Sequence, residues 1–268
     1  MAITLEGGCR VSDMREGDPL IAGTLRIWNR IGRASGVQAI SLRVLEFAPG
    51  LSPGIRNDDC DEILYVLDWE NGRTDRSEVS TACGSGRVTI FIDSHPYDVS
   101  PDTGIYLRPG ETFAVNNPGL SSIVMVSSQC PDPDREPEFV EALTSANVDS
   151  TGPLQLVRLS DRPAQPTADR WYRVLVDDEI GSTNATQFVG SIPPGRAPDH
   201  FHQYEEVLFI LRGEGRMWAG ESNTPIAAGS CIYLPKGQVH CVENTGTDEL
   251  RLLGVFYPAG SPSVRYDV

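Results

Sequence analysis

Residues 195–206 read Gly195-Arg-Ala-Pro-Asp-His200-Phe-His202-Gln-Tyr-Glu-Glu206, and this stretch decides how the rest of the chain is read. Side chains on an extended strand alternate between faces, so the imidazoles of His200 and His202 point the same way and are spaced to share one ion. Glu206 is a further even step along and projects to that face if the strand continues; Glu205, an odd step away, turns to the opposite one. The chain has 4 histidines, His95, His200, His202 and His240. His240 arrives from a later strand, after the tight-turn sequence Pro235-Lys-Gly237. Three neutral imidazoles and a carboxylate suit a first-row divalent metal such as Fe, Mn, Ni, Cu or Zn.

Outward from this stretch the chain repeats itself. Glu206-Val-Leu-Phe-Ile-Leu211 parallels Glu62-Ile-Leu-Tyr-Val-Leu67, and Tyr233-Leu-Pro-Lys-Gly-Gln-Val-His-Cys-Val-Glu-Asn244 parallels Tyr106-Leu-Arg-Pro-Gly-Glu-Thr-Phe-Ala-Val-Asn-Asn117. The order is the same in both copies, the mark of an internal duplication. The two offsets differ, which places an insertion in the first copy, assigned to the polar stretch from Asp68 to Arg87. The apolar runs ILYVL and VLFIL lack apolar/polar alternation, so both of their faces are covered, one lining a barrel and the other packed against the sister half or a second subunit. With 26 Gly and 20 Pro between short Val/Ile/Leu-rich segments, the chain reads as all-β. A helix is expected over Glu136 to Ser145, within a connector.

The two gapped patterns resemble the two signatures of the cupin superfamily. The first is the stretch from Gly195 to Glu206 followed by Gly213; the second runs Gly229, Pro235-Lys-Gly237, His240, Asn244. One gap, Gly195 to His200, departs from the usual spacing by one residue. The resemblance implies His200, His202, Glu206 and His240 as ligands of one divalent transition metal, Fe2+ first, with Mn2+, Ni2+, Cu2+ or Zn2+ as alternatives. It also implies a bicupin, two antiparallel β-barrels of the jelly-roll type. The expected division is residues 1–132 for an N-terminal barrel, 133–152 for a short, partly helical connector, and 153–268 for a metal-binding C-terminal barrel. Cupins without metal exist, so these side chains could instead be barrel-facing polar groups, although an unliganded polar cluster in an apolar barrel is costly.

The first copy departs from the pattern. Aligned on its apolar strand and its turn, Arg56 stands where His200 does, Asp58 for His202, Glu62 for Glu206 and Phe113 for His240, a set that cannot rebuild the site. Arg56 is expected to pair with Asp58 or Glu62 in a structural barrel, the alternative being a metal-free site for an anion. His95, before a proline, reads as a surface-loop residue; Cys60 and Cys241 read as small buried side chains; Trp171, Trp218 and Tyr233 suit either a pocket or the core.

Composition excludes several classes. Against 37 Asp plus Glu there are 22 Lys plus Arg, a net charge of −15, the wrong sign for nucleic acid or an anionic membrane surface. The start, MAITLEGGCR, carries no secretory pattern and no stretch approaches a membrane span, so a cytoplasmic chain with reduced thiols is expected. The partner is a small-molecule substrate, with a homodimer compatible.

An octahedral ion held by four protein atoms keeps two adjacent positions open for a chelating substrate, or for one substrate oxygen plus dioxygen. Many cupins with this ligand set are dioxygenases, so the resemblance implies an oxidoreductase acting on a phenol, enol or hydroxy acid. The alternatives are a non-redox metal-dependent isomerase, decarboxylase, hydrolase or lyase, or a non-catalytic binding protein. Bicupins resembling oxalate decarboxylases usually keep ligands in both halves, which this chain does not.

Overall fold

The computed structural model describes residues 1–37, 39–67, 87–144, 154–167 and 169–264, with the backbone of 266–267. The expected all-β, two-barrel architecture is what it shows. Each half is a large antiparallel sheet facing a smaller one. In the N-terminal barrel a 7-stranded sheet has Asp61–Val66 between Thr103–Leu107 and Ile123–Cys130, with Leu42–Phe47 beyond. In the C-terminal barrel an 8-stranded sheet has Glu205–Arg212 between Ser230–Leu234 and Leu250–Tyr257, with Thr186–Ile192 beyond. The smaller sheets carry Gly54–Arg56 beside Thr112–Asn117 in one barrel and His200–Phe201 beside His240–Asn244 in the other.

The duplicated apolar runs do what their lack of alternation implied. Leu64 and Val66 fill the N-terminal barrel, and Leu208 and Ile210 fill the C-terminal one. The residues between them, Ile63, Tyr65, Val207 and Phe209, meet in a third apolar cluster that belongs to both halves. The barrels are therefore docked through the outer faces of their central strands. Burying side chains of this size stabilises by roughly 1.5–3 kcal/mol each, which makes the seam as much a core as either interior.

Two short strands are exchanged across that seam. Arg10–Asp13 pairs with Ser230–Leu234 in the C-terminal sheet, and Leu156–Arg158 pairs with Thr103–Leu107 in the N-terminal one. Barrels in space thus differ from the stretches 1–132 and 153–268 in sequence. Matching hydrogen bonds accompany the exchange. Glu205, expected to turn to the face opposite His202, is buried in the seam, accepting from Tyr233 Oη at 2.7 Å and from the Ala39 amide at 2.9 Å. Its counterpart Asp61 accepts from Tyr106 Oη and from Asn184 Nδ2, both at 2.8 Å. Tyr106→Phe strips the buried Asp61 carboxylate of its phenol donor. The expected cost is about 1–3 kcal/mol, read as a lower denaturation midpoint at unchanged m-value.

The helix expected over Glu136 to Ser145 is not formed. Glu138–Val140 is a strand paired with Gly54–Arg56, and Phe139 packs on the N-terminal core, so sheet pairing overrides local helix propensity; residues 141–144 are not helical either. The rest of the connector, 145–152, lies outside the described residues, as does the expected insertion from Asp68 to Arg87, Arg87 aside. His95 opens the strand His95–Asp98 rather than sitting in a loop.

Candidate metal centre

Each histidine reaches the site by a different local device. His200 and His240 are directly opposed in the ladder. His202 follows on the link into Glu205–Arg212, and the turn Pro235-Lys236-Gly237 ties to that link because the Gly237 amide donates to the His202 carbonyl at 2.8 Å. Gly237 has φ +78°, a left-handed conformation that favours glycine, so the turn sets where His240 re-enters the sheet. Glu206 enters from the adjoining large sheet, opposite Leu234 and Phe256.

The structure clusters the three histidines that the resemblance implied and places Glu206 beside two of them. Ligand atoms of His200, His202 and His240 lie within 4.8 Å of one another. Glu206 Oε2 is 3.7 Å from both His202 Nε2 and His240 Nε2. Donors that share a first-row ion at about 2.0–2.2 Å stand roughly 3–4 Å apart, a spacing that Glu206 already has from His202 and His240.

The tautomers follow from the hydrogen bonds. His200 Nδ1 contacts the Pro198 carbonyl at 3.0 Å, His202 Nδ1 that of Val264 at 3.2 Å, and His240 Nδ1 that of Gln238 at 2.8 Å. A carbonyl only accepts, so each Nδ1 carries the proton and each Nε2 presents a lone pair. Burial, and next the neighbouring His200, push the His240 imidazole down to about 3, which keeps it neutral. Burial pushes the Glu206 carboxyl up to about 8. On one flank Tyr204 stacks on His202 with centroids 5.0 Å apart, and Phe256 contacts both rings. This aromatic wall was not read from the sequence.

The sister barrel shows what a buried glutamate at this position otherwise requires. Glu62, the counterpart of Glu206, is bound by Arg43 and Asn57 and accepts from Ser127 Oγ at 2.6 Å. Arg43 stands opposite Ser127, and the matching pair in the C-terminal barrel is Phe188 opposite Gly254. The C-terminal site therefore lacks the internal guanidinium, and among the described residues Glu206 has no Arg or Lys within ion-pair distance. A buried carboxyl group beside a cluster of three imidazoles fits a divalent cation.

The register corrects the alignment of the first copy. Ile55, not Arg56, stands opposite Phe113 as His200 stands opposite His240. Gly50 and Gly195 hold equivalent positions opposite Asn117 and Asn244, and the path from Gly50 to Glu62 is one residue longer than that from Gly195 to Glu206. Two buried apolar side chains thus take the places of two imidazoles. Arg56 pairs with Asp58 at 2.8 Å at the surface.

The remaining candidates lie elsewhere. Cys241 faces away from the centre, with Arg196 Nε donating to its sulfur at 3.2 Å, and burial pushes the thiol up to about 11. Arg196 also covers the Trp218 ring at 4.1 Å on that outer face. Trp171 packs at the seam between Arg173 and Arg251, and Tyr233 is the seam phenol described above.

Residues 188–256 match the family model described as the cupin domain. Over 66 residues the chain is 38% identical to the oxalate-binding protein of Thermotoga maritima, covering 24% of this chain and 54% of that one. Over 70 residues it is 34% identical to auxin-binding protein 1 of Arabidopsis thaliana, covering 23% and 35%. The matched stretch is thus about half the length of these curated relatives or less. The whole fold superposes on a variant of Bacillus subtilis oxalate decarboxylase with TM-score 0.70 at 13% identity, over 94% of this chain and 78% of that one. A Lactobacillus farciminis oxalate decarboxylase in complex with formate gives 0.70 at 11% identity, over 92% and 86%.

Proposed function

We propose that this chain, which carries a cupin domain and folds as two cupin barrels, holds one divalent metal ion on His200, His202, Glu206 and His240 and acts on a small carboxylate bound there. One observation carries the reading: Glu206 is the single carboxyl group among the described residues buried in the C-terminal barrel interior, since Glu205 belongs to the seam, and no Arg or Lys is buried with it. Three neutral imidazoles, one carboxylate and a divalent ion sum to one positive charge. An apolar interior disfavours unpaired charge, so the loaded site calls for an anionic ligand with more than one oxygen, a description that small carboxylates meet. When bound, the ion supplies Lewis-acid polarisation of substrate oxygens.

The chain's own groups do the rest. Backbone carbonyls hold the Nδ1 protons and so keep the Nε2 lone pairs on one point. Tyr204, Phe256 and Phe188 close one flank against water. The names of the relatives support carboxylate chemistry of the decarboxylase kind over oxygen activation: one is named for binding oxalate, and the structural relatives are oxalate decarboxylases. The decarboxylase alternative is therefore preferred to the dioxygenase implied by the resemblance.

The test is to load the protein in turn with Fe2+, Mn2+ and Zn2+, offer oxalate and other small carboxylates, and follow CO2 release and oxygen uptake together. CO2 without net oxygen consumption is expected. Oxygen consumed in step with product would restore the dioxygenase reading, and saturable binding without product would make this a binding protein.

A further inference from the structure

We infer that the segment Gly260–Val264, with the strand Tyr266–Asp267, is the positioning element of the metal centre, fixing His202 through the carbonyl of Val264. The inference rests on the metal reading above and deepens it. Two of the three histidines are oriented locally: the carbonyls that accept from His200 and His240 lie two residues before each of them. The third is different. His202 donates to Val264, 62 residues further along the chain.

Several contacts bring that carbonyl into place. The backbone of Tyr266–Asp267 pairs with His200–Phe201, putting Asp267 opposite His200. Tyr204, whose ring stacks on His202, donates its hydroxyl to the Ser261 carbonyl at 3.1 Å. The Val264 amide donates to that same carbonyl at 3.0 Å, closing a turn. Gly260 rests on the Tyr204 ring so closely that a Cβ there would lie 2.6 Å from Cε1, and its amide donates to Thr186 Oγ1 at 3.3 Å. Val264 itself is 44% exposed, so the segment is held by these few bonds rather than by burial. It is a strap beside the site, with one carbonyl aimed at a proposed ligand.

Outer hydrogen bonds to metal-bound histidines set the tautomer and the ring orientation, and their loss typically costs about 10–100-fold in metal affinity. Removing the strap should therefore weaken the ion without touching any of its four ligands. Coupling between two events is reciprocal, so the ion should in turn hold the strap down.

The experiment compares the 268-residue chain with one ending at Gly260, using Zn2+ as the probe. Affinity is read by competition with a fluorescent chelator, and tautomers by two-bond 1H–15N correlation on labelled histidine. A loss of about 10–100-fold is expected for the shortened chain, together with loss of the Nδ1-protonated signature of His202 alone. Should the shortened chain fail to fold, Tyr204→Phe keeps the ring on His202 but removes the bond to Ser261, and a smaller loss in the same direction is expected. In the intact chain, Zn2+ should slow hydrogen exchange of the strap amides. Unchanged affinity and unchanged His202 tautomer in the altered chains would overturn the strap's role and leave the metal site standing. Failure of the intact chain to bind Zn2+ would overturn both.

Discussion

The His240→Ala chain is expected to bind no divalent ion at concentrations that saturate the parent. The imidazole is buried, neutral and fixed by its bond to Gln238, so its Nε2 lone pair is already aimed before any ion arrives. Alanine removes the lone pair, and no other donor among the described residues stands close enough to replace it. The loss should exceed the roughly 100-fold upper range that outer hydrogen bonds contribute, since a direct ligand goes. Phe113→His in the sister barrel is the informative partner variant. It restores an imidazole at the matching position, yet Ile55 still occupies the place of His200, and Arg43 still holds Glu62. That variant is expected to gain no second ion, as measured by equilibrium dialysis of both proteins.

The second large effect concerns that arginine. Arg43→Met should destabilise the protein by about 3–5 kcal/mol, because removing one partner of a buried ion pair leaves the other charge uncompensated. Arg43 and Glu62 are both nearly fully buried, with side chains 4% and 2% exposed. At roughly 2–4 °C per kcal/mol for a chain near this size, the melting midpoint should fall on the order of 10 °C. Adding Glu62→Met to Arg43→Met should recover most of the loss, since replacing a whole buried pair by apolar groups is often close to neutral. In the metal-free protein, Glu206→Gln should cost far less than Arg43→Met, because Glu206 pairs with no guanidinium and burial already favours its neutral form. Scanning calorimetry of the four chains checks the ordering. It also isolates the idea linking the barrels: one balances its buried glutamate with an internal guanidinium, while the other leaves that role to an ion.

Much of this was legible in the chain. The even spacing of His200, His202 and Glu206 stated a shared face, and the Pro235-Lys-Gly237 turn stated where His240 returns. ILYVL and VLFIL announced two covered faces, and the structure divides them residue by residue between barrel interior and seam. What stayed hidden has a common physical form. Short strands such as Arg10–Asp13 and Glu138–Val140 are defined by their partners rather than by their own residues, so neither the exchange nor the failure of the expected helix could be read locally. The Ile55 register turns on one extra residue in a loop, which an ungapped alignment absorbs wrongly. Arg43 had a faint signal, a lone guanidinium in the otherwise apolar run Leu42–Phe47 apart from Glu46, but its partner Glu62 lies on a different strand. The Val264 carbonyl had no signal at all, since any residue supplies one.

The central claim is one ion per chain, in the C-terminal barrel alone. Elemental mass spectrometry on untagged protein purified without oxygen, before and after reconstitution with Fe2+, Mn2+ or Zn2+, measures it directly beside the His240→Ala chain. The account predicts close to one ion per parent chain and none in the variant. No ion after reconstitution, two ions per chain, or equal content in the two proteins would contradict it.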